Sequence, residues 1–283
     1  MQIGAIPPEV ASLCAVLQGA GHGAYPVGGA VRDLLLGRCP EDWDLCTSAR
    51  PEQVMAVLPR TKPTGFRHGT ITVLWGSRRF EVTTFRRETG HADGRHPDMV
   101  SFDADLPQDL ARRDFTINAM ALSPGGRIID PFGGQADLRA GLIRCVGDPQ
   151  RRFREDGLRM LRAVRFAAQL GFTLEASTRA ALLEHAQETA GLSPERIRQE
   201  MDKILLSPHP EQIALPISAG MLDHLFSRWR SVAALADLGC VPQNQADRWR
   251  SFCRLSGFPI TALPVTKVLR RAVLGDAPSG GLG

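Results

Sequence analysis

No stretch of this 283-residue chain approaches eighteen uninterrupted apolar residues, which excludes a membrane-spanning helix in the sequence as it stands. A basic start is also missing. The first twenty residues carry Glu9 inside their one apolar stretch, so they read as an amphipathic helix rather than a secretory signal, and a cytoplasmic location is expected. The six cysteines (Cys14, Cys39, Cys46, Cys145, Cys240 and Cys253) lack any C-x-x-C spacing, which argues against a zinc site or a disulfide framework and for reduced thiols without chemistry. No internal repeat is present. Lysine is almost missing: of 34 basic residues, all but Lys62, Lys203 and Lys267 are arginine, the side chain suited to forked contacts with phosphates and base edges. With a net charge of only +4, that bias points to nucleic acid only where the arginines cluster.

What is present is an ordinary globular composition, 43% hydrophobic and 23% charged, in a chain long enough for one large domain or a few small ones. Apolar spacing predicts a helix over 10–18 that stops at Gly19 and Gly21, then a strand in AYPVGG and a helix in VRDLLLG. Between 42 and 85 the pattern predicts a strand in DWDLC, a helix around PEQVMAVL, and a hairpin of TITVLW and RRFEVTTF about Gly76-Ser77. The run TGHADGRHPD over 89–98 predicts a mobile loop, and helical spacing resumes near 107. RIID and LIRCVG are expected to form a short strand pair that closes this region near 148, and everything after 150 has helical spacing. The predicted organisation is an α/β (α+β) head at 1–149, a helical neck at 150–207, and a helical body at 208–283 ending in the flexible tail DAPSGGLG.

Chemistry concentrates in three places. Asp42 and Asp44 are one residue apart in a strand-like run, so alternation sends both carboxylates to one face, a donor pair that suits Mg2+. Glu81, in RRFEVTTF on a neighbouring predicted strand, is the candidate third carboxylate. Ten residues upstream of the pair, PVGGAVRDLLLG sets Gly28 and Gly29 between a strand and a helix start, a cradle for phosphate with Arg32 in its first turn. In DLARRDFTINAMAL, the residues Arg112, Arg113 and Asp114 are expected at the start of a helical segment whose other face carries Ile117, Met120 and Leu122; they suit a nucleotide's sugar and phosphates or a salt-bridged helix start equally well. Finally, RRFREDGLRMLRAVRFAAQLGF is expected to form one helix with Met160, Val164 and Ala167 on its apolar side. Asp156, Arg159 and Arg162 would step along the other, with Asp156 and Arg159 as neighbours. Of such a pair the carboxylate accepts from an exocyclic amine and the guanidinium donates to a ring acceptor, which admits cytosine and adenine and rejects guanine and uracil. The bland alternative is a solvated ion pair, but six arginines against two acids within 151–165 favour a nearby anion.

In order, GGAVRDLLLG, DWD, DGRHPD, RRDFTINAM, EDGLRMLRAVRFAAQLGF and SPERIRQEMDKIL resemble the bacterial-type tRNA CCA-adding nucleotidyltransferases and the related poly(A) polymerases. The resemblance covers roughly residues 25–206. It implies a polymerase-β-like nucleotidyltransferase head, a helical neck that reads the incoming nucleotide, and a body and tail that hold tRNA. It also implies Mg2+ on Asp42 and Asp44, triphosphate at Gly29 and Arg32, and sugar and phosphates at Arg113 and Asp114. The base would meet Asp156 and Arg159, with Arg162 and Arg165 in support. The implied reaction is attack by the 3′-hydroxyl of tRNA on the α-phosphate of CTP or ATP. Asp93 and Arg95 fall in the equivalent of the family's flexible loop, which favours competence to add A. One departure is expected: after SPERIRQEMDKIL the likeness fades beyond GMLDHLF, so the tRNA-holding tail looks absent or replaced. Poly(A) addition, partial CC or A addition, and a non-catalytic RNA-binding role stay open, as do monomer and homodimer.

Overall fold

The computed structural model describes residues 6–90 and 99–275. Asp93 and Arg95 of the expected loop, and the tail at 276–283, lie outside the described residues. The chain divides into two compact units, Met1–Ala140 with Arg144–Asp148, and Gly141–Ile143 with Pro149–Gly283.

The first unit is built on a mixed sheet. Helix α1 (Pro8–Gly19) buries Val10, Leu13, Cys14 and Leu17, the stripe that its spacing predicts. Strand β1 (Ala24–Val27) leads through Gly28 into the seven-residue helix α2 (Gly29–Leu35). Strand β2 (Asp44–Thr47) begins at Asp44, leaving Asp42 just ahead of it, and is followed by α3 (Pro51–Val57). Strand β3 (Thr61–Gly65) precedes the hairpin of β4 (Thr70–Trp75) and β5 (Arg78–Thr84), which turns at Gly76 with φ +61°. Strands β6 (Arg87–Thr89) and β7 (Met99–Ser101) pair on their own, so the expected loop is entered from a strand at Thr89. Then come α4 (Leu106–Ala111), a 3-10 turn over Thr116–Asn118, β8 (Ala121–Leu122), β9 (Ile128–Ile129) and α5 (Gly134–Ala140).

The seven-stranded sheet has the order β3-β4-β5-β2-β1-β8-β9, with β2 parallel to β5 and every other neighbour antiparallel. Along β5, Phe80, Val82 and Thr84 are buried while Arg79 and Glu81 face out, the period of two expected of a sheet with one covered face. Val27, Cys46, Phe85, Leu106, Leu110 and Ala121 form a core cluster where α4 meets the sheet.

Two expectations are corrected here. RIID and LIRCVG each supply a strand but do not pair: β9 adds to β8, whereas β10 (Leu142–Ile143) pairs in parallel with β11 (Thr173–Leu174) of the second unit. The chain after 150 is therefore not wholly helical. Arg112, Arg113 and Asp114 stand at the end of a helix rather than the start of one, because Arg112 is the C-cap of α4.

In the second unit, α6 (Pro149–Glu155) and α7 (Leu158–Leu170) are separate helices, broken at Asp156-Gly157. They are followed by β11, α8 (Ala176–Glu184), α9 (Pro194–Leu205), α10 (Ala214–Ser218), α11 (Gln245–Ser256) and α12 (Lys267–Leu274). Between α10 and α11 the chain runs in turns and a 3-10 segment, and Trp229 stacks on Phe258 with ring centroids 5.7 Å apart.

Candidate active site

Gly28 takes φ +73°, a left-handed conformation that a side chain resists, and a Cβ there would lie 3.0 Å from Arg113 Nη1. That close approach leaves no room for a side chain at the first glycine of the pair. Its own N–H donates to the Met120 carbonyl at 3.2 Å, and α2 has no side-chain cap, so the first N–H groups of the helix are left to other acceptors. Val27, next to this turn, pairs with Asp44, and Asp44 pairs in turn with Glu81. Sheet register thus brings the glycine turn, the paired aspartates and the candidate third carboxylate to neighbouring positions.

Asp42 and Asp44 face outward on either side of the buried Trp43. Asp42 also lines a cavity of about 420 Å3 that Cys39, Arg78 and Arg79 share. The Asp44 carboxyl is raised above its ordinary pKa, first by loss of hydration and then by repulsion from Glu81 and Asp42, with Arg113 acting the other way. Hard oxygen donors that repel one another suit a divalent cation. Among the described residues, however, no three His, Cys, Asp or Glu side chains converge closely enough to form a ready-made metal cage. Glu81 is half exposed and lies 3.7 Å from Arg79. The donor set therefore fits an ion that takes two carboxylates and completes its shell with water and substrate oxygens.

Arg32 is mostly buried. It donates from Nε to Asp33 at 2.9 Å and from Nη1 to the Asn118 side-chain oxygen at 2.9 Å. Asn118 in turn donates to Asp114 at 3.2 Å, and Asp114 also accepts the Phe115 N–H at 2.8 Å. Arg32 and Asp114 are thus tied through Asn118, a residue the sequence reading passed over inside RRDFTINAM. Arg113 is held by Asp109 at 3.3 Å, again a partner missed.

The neck residues are arranged differently from the expectation. Asp156 and Arg159 do not share a helix face, because the chain breaks between them. Asp156 accepts the Leu158 N–H at 3.0 Å and pairs with Arg196 at 2.9 Å, whereas Arg159 pairs with Glu155 at 2.6 Å. The buried Glu155 also receives Arg151 at 2.9 Å and Arg152 at 2.7 Å. Burial is the largest influence on Glu155 and opposes ionisation, yet the hydrogen bonds and charges of Arg159 and Arg152 carry its pKa down to about 2. Arg165 is buried against Glu200 at 3.0 Å and over the Phe166 ring, joining α7 to α9, and Arg162 lies 5.5 Å from the same ring. Glu155 and Arg196, which lie inside the motifs EDGLR and SPERIRQ, were missed in the sequence; that Arg196 meets Asp156 depends on a fold that spacing alone does not give.

Among the described residues no helix is long and apolar enough to cross a membrane. Residues 24–144 match the poly(A) polymerase head domain, and residues 171–231 match a probable RNA- and SrmB-binding site of polymerase A. The chain is 51% identical over 196 residues to a CCA-adding enzyme of Lactobacillus helveticus, covering 69% of this chain and 49% of that protein. A CCA-adding enzyme of Anoxybacillus flavithermus is 43% identical over 248 residues, which is 86% of this chain and 62% of the relative. The chain thus spans about half to three-fifths of the length of these curated relatives. The crystal structure of the Bacillus stearothermophilus CCA-adding enzyme in complex with CTP superposes with a TM-score of 0.85 at 39% identity, covering 95% of this chain and 69% of that one. With this polymerase-β-like nucleotidyltransferase head, a helical second unit and motifs in the same order, the chain belongs to the family of CCA-adding enzymes and poly(A) polymerases.

Proposed function

We propose that this chain is a template-independent RNA nucleotidyltransferase that adds C and A to the 3′ end of tRNA from CTP and ATP and releases pyrophosphate, as a cytoplasmic enzyme. The observation that carries this reading is the register that sets the Gly28 turn, beside Val27, against Asp44. Asp42 and Asp44 would hold Mg2+, which when bound supplies Lewis-acid stabilisation of the phosphoryl oxygens. Glu81, on the neighbouring strand, adds negative charge beside Asp44 and stands as the third catalytic carboxylate. The turn at Gly28 and Gly29 receives phosphate on backbone N–H groups, with Arg32 and Arg113 neutralising its charge. Asp114 accepts from the ribose hydroxyls. The 3′-hydroxyl oxygen of the RNA, giving up its proton to water, forms its bond to the α-phosphorus as the bond to the oxygen bridging to the β-phosphate breaks and pyrophosphate leaves.

Base selection falls to Asp156 and Arg159. Each has its own partner, Arg196 for the first and Glu155 for the second, so the acceptor and donor edges are held separately rather than spent on each other. Arg162 and Arg165 support the helix that carries Arg159. Asp93 and Arg95 take the role of the loop that accompanies A addition. Because the head matches a description worded for poly(A) polymerases, poly(A) addition is the alternative to separate.

The test offers tRNAs ending before CCA, after C and after CC, with each NTP singly and Mg2+, and reads product length. Stepwise C, C, A is expected. UTP or GTP incorporated as readily as CTP or ATP would sink the base-reading roles, and A tracts on unstructured RNA with tRNA ignored would favour poly(A) addition.

A further inference from the structure

Asp109 is the most deeply buried carboxylate of the first unit, with no exposed surface. It sits on α4 between Leu106 and Leu110, on the side that faces the core. One oxygen accepts Arg112 Nε at 2.9 Å and the Arg86 N–H at 3.4 Å; the other accepts Arg113 Nη2 at 3.3 Å. Arg112 reaches on to Glu88 at 3.2 Å, and Glu88 holds Arg86 at 2.7 Å. The Arg112 guanidinium is thus shared between two acids and that of Arg86 is held by Glu88, whereas Asp109 is the ion-pair partner that Arg113 has among the described residues.

Arg113 occupies a delicate position. Its Nη1 abuts the Gly28 turn, and its buried Nε has no hydrogen-bond partner among the described residues. Asp44, Asp42 and Glu81 stand nearby, and their combined charge attracts any unrestrained guanidinium. A guanidinium that settled on Asp44 would occupy the place a cation needs and would abandon the phosphate turn.

We propose that Asp109 is a positioning residue whose task is to hold Arg113 against the Gly28 turn and off the Asp42-Asp44 pair, keeping that pair open to a divalent cation. The inference rests on the reading of Asp42 and Asp44 as metal ligands. Loss of the Asp109 charge releases Arg113 toward Asp44, so that the cost appears as competition with the cation.

The test titrates Mn2+ into nucleotide-free protein and counts free ion by electron paramagnetic resonance, for wild type, Asp109→Asn, Arg113→Gln and the double variant, alongside circular dichroism and steady-state CTP and ATP incorporation. Asp109→Asn is expected to weaken Mn2+ binding by about fivefold and to raise the nucleotide KM by about tenfold, the scale of one charge-assisted contact. The double variant should bind Mn2+ as Arg113→Gln alone does, because the competitor is gone. A folded Asp109→Asn protein that binds Mn2+ like wild type overturns the proposal, and so does a double variant as impaired as Asp109→Asn. If Asp109→Asn does not fold, Arg113→Gln decides. Near-wild-type Mn2+ affinity supports a restrained arginine, and a gain beyond about tenfold shows that Arg113 already sits on the carboxylates and overturns the restraint. A wild type that binds Mn2+ but transfers no nucleotide defeats the proposed function and leaves these outcomes to judge Asp109.

Discussion

Asp44 is ionised at a cost when no cation is bound. Its pKa is higher in the folded chain than in the unfolded one, so above that pKa the negative charge destabilises the fold, and protonation in acid removes the penalty. Asp44→Asn should therefore raise the thermal midpoint of metal-free protein at neutral pH by about 2 °C while abolishing nucleotide transfer, with the stability gain shrinking as pH falls. Differential scanning calorimetry across pH, with chelator present, checks both the sign and the trend. Single residues were legible in the sequence where a local period governs them, as for Asp42 and Asp44 around the buried Trp43. They were not legible where long-range pairing decides. Asp156 and Arg159 are spaced to meet on a helix, but the helix breaks at Asp156 itself, whose carboxylate accepts the Leu158 N–H, and Arg196, forty residues on, pairs with it. Asp109 drew no reading from the sequence, although its place three residues after Leu106 and one before Leu110 puts it on the inner face.

Among the elements, α4 shows how a short helix can serve a site it does not enter. Asp105 caps it, accepting the Gln108 N–H at 2.9 Å while the Gln108 side chain accepts the Asp105 N–H at 3.1 Å. This reciprocal cap fixes the first turn, and the next residue is Asp109. Asp105→Ala should cost about 1 kcal/mol in urea unfolding and raise the nucleotide KM more than the RNA KM, since fraying of α4 reaches Arg113 through Asp109. Equal changes in both would detach the cap from the nucleotide site. The hairpin of β4 and β5 was readable because alternation and a two-residue glycine turn are local signals. The strand pair of β10 and β11 was not, because its two halves are two residues each and lie far apart in sequence.

At the scale of the molecule, the distribution of thiols is a direct check on packing. Cys39 and Cys240 are exposed, Cys14 and Cys253 are pushed up to about 12 by burial, Cys46 is raised further in the same direction, and Cys145 is buried. Ellman's reagent on native protein should find two fast thiols among the six, the half-buried Cys253 slower, and Cys14, Cys46 and Cys145 only on unfolding. Fast reaction at Cys14, Cys46 or Cys145, identified by peptide mapping, would place a gap in the core.

The short strand β10 carries a consequence for modularity. Gly141–Ile143 belong to the second unit, where Leu142 and Ile143 pair with β11 and the Ile143 carbonyl accepts the Glu175 N–H at 2.9 Å. Arg144–Asp148 return to the first, where the Arg144 carbonyl accepts the Thr116 N–H at 2.9 Å and Val146 donates to the Asp114 carbonyl at 3.0 Å. The backbone is thus basted back and forth across the division, and no single cut leaves both halves whole. A chimaera joined at 148 would orphan β11, and one joined at 140 would strip the anchor from the very segment that holds Asp114. An exchange with a relative at this seam should therefore carry residues 141–148 together with the partners they bond in each unit.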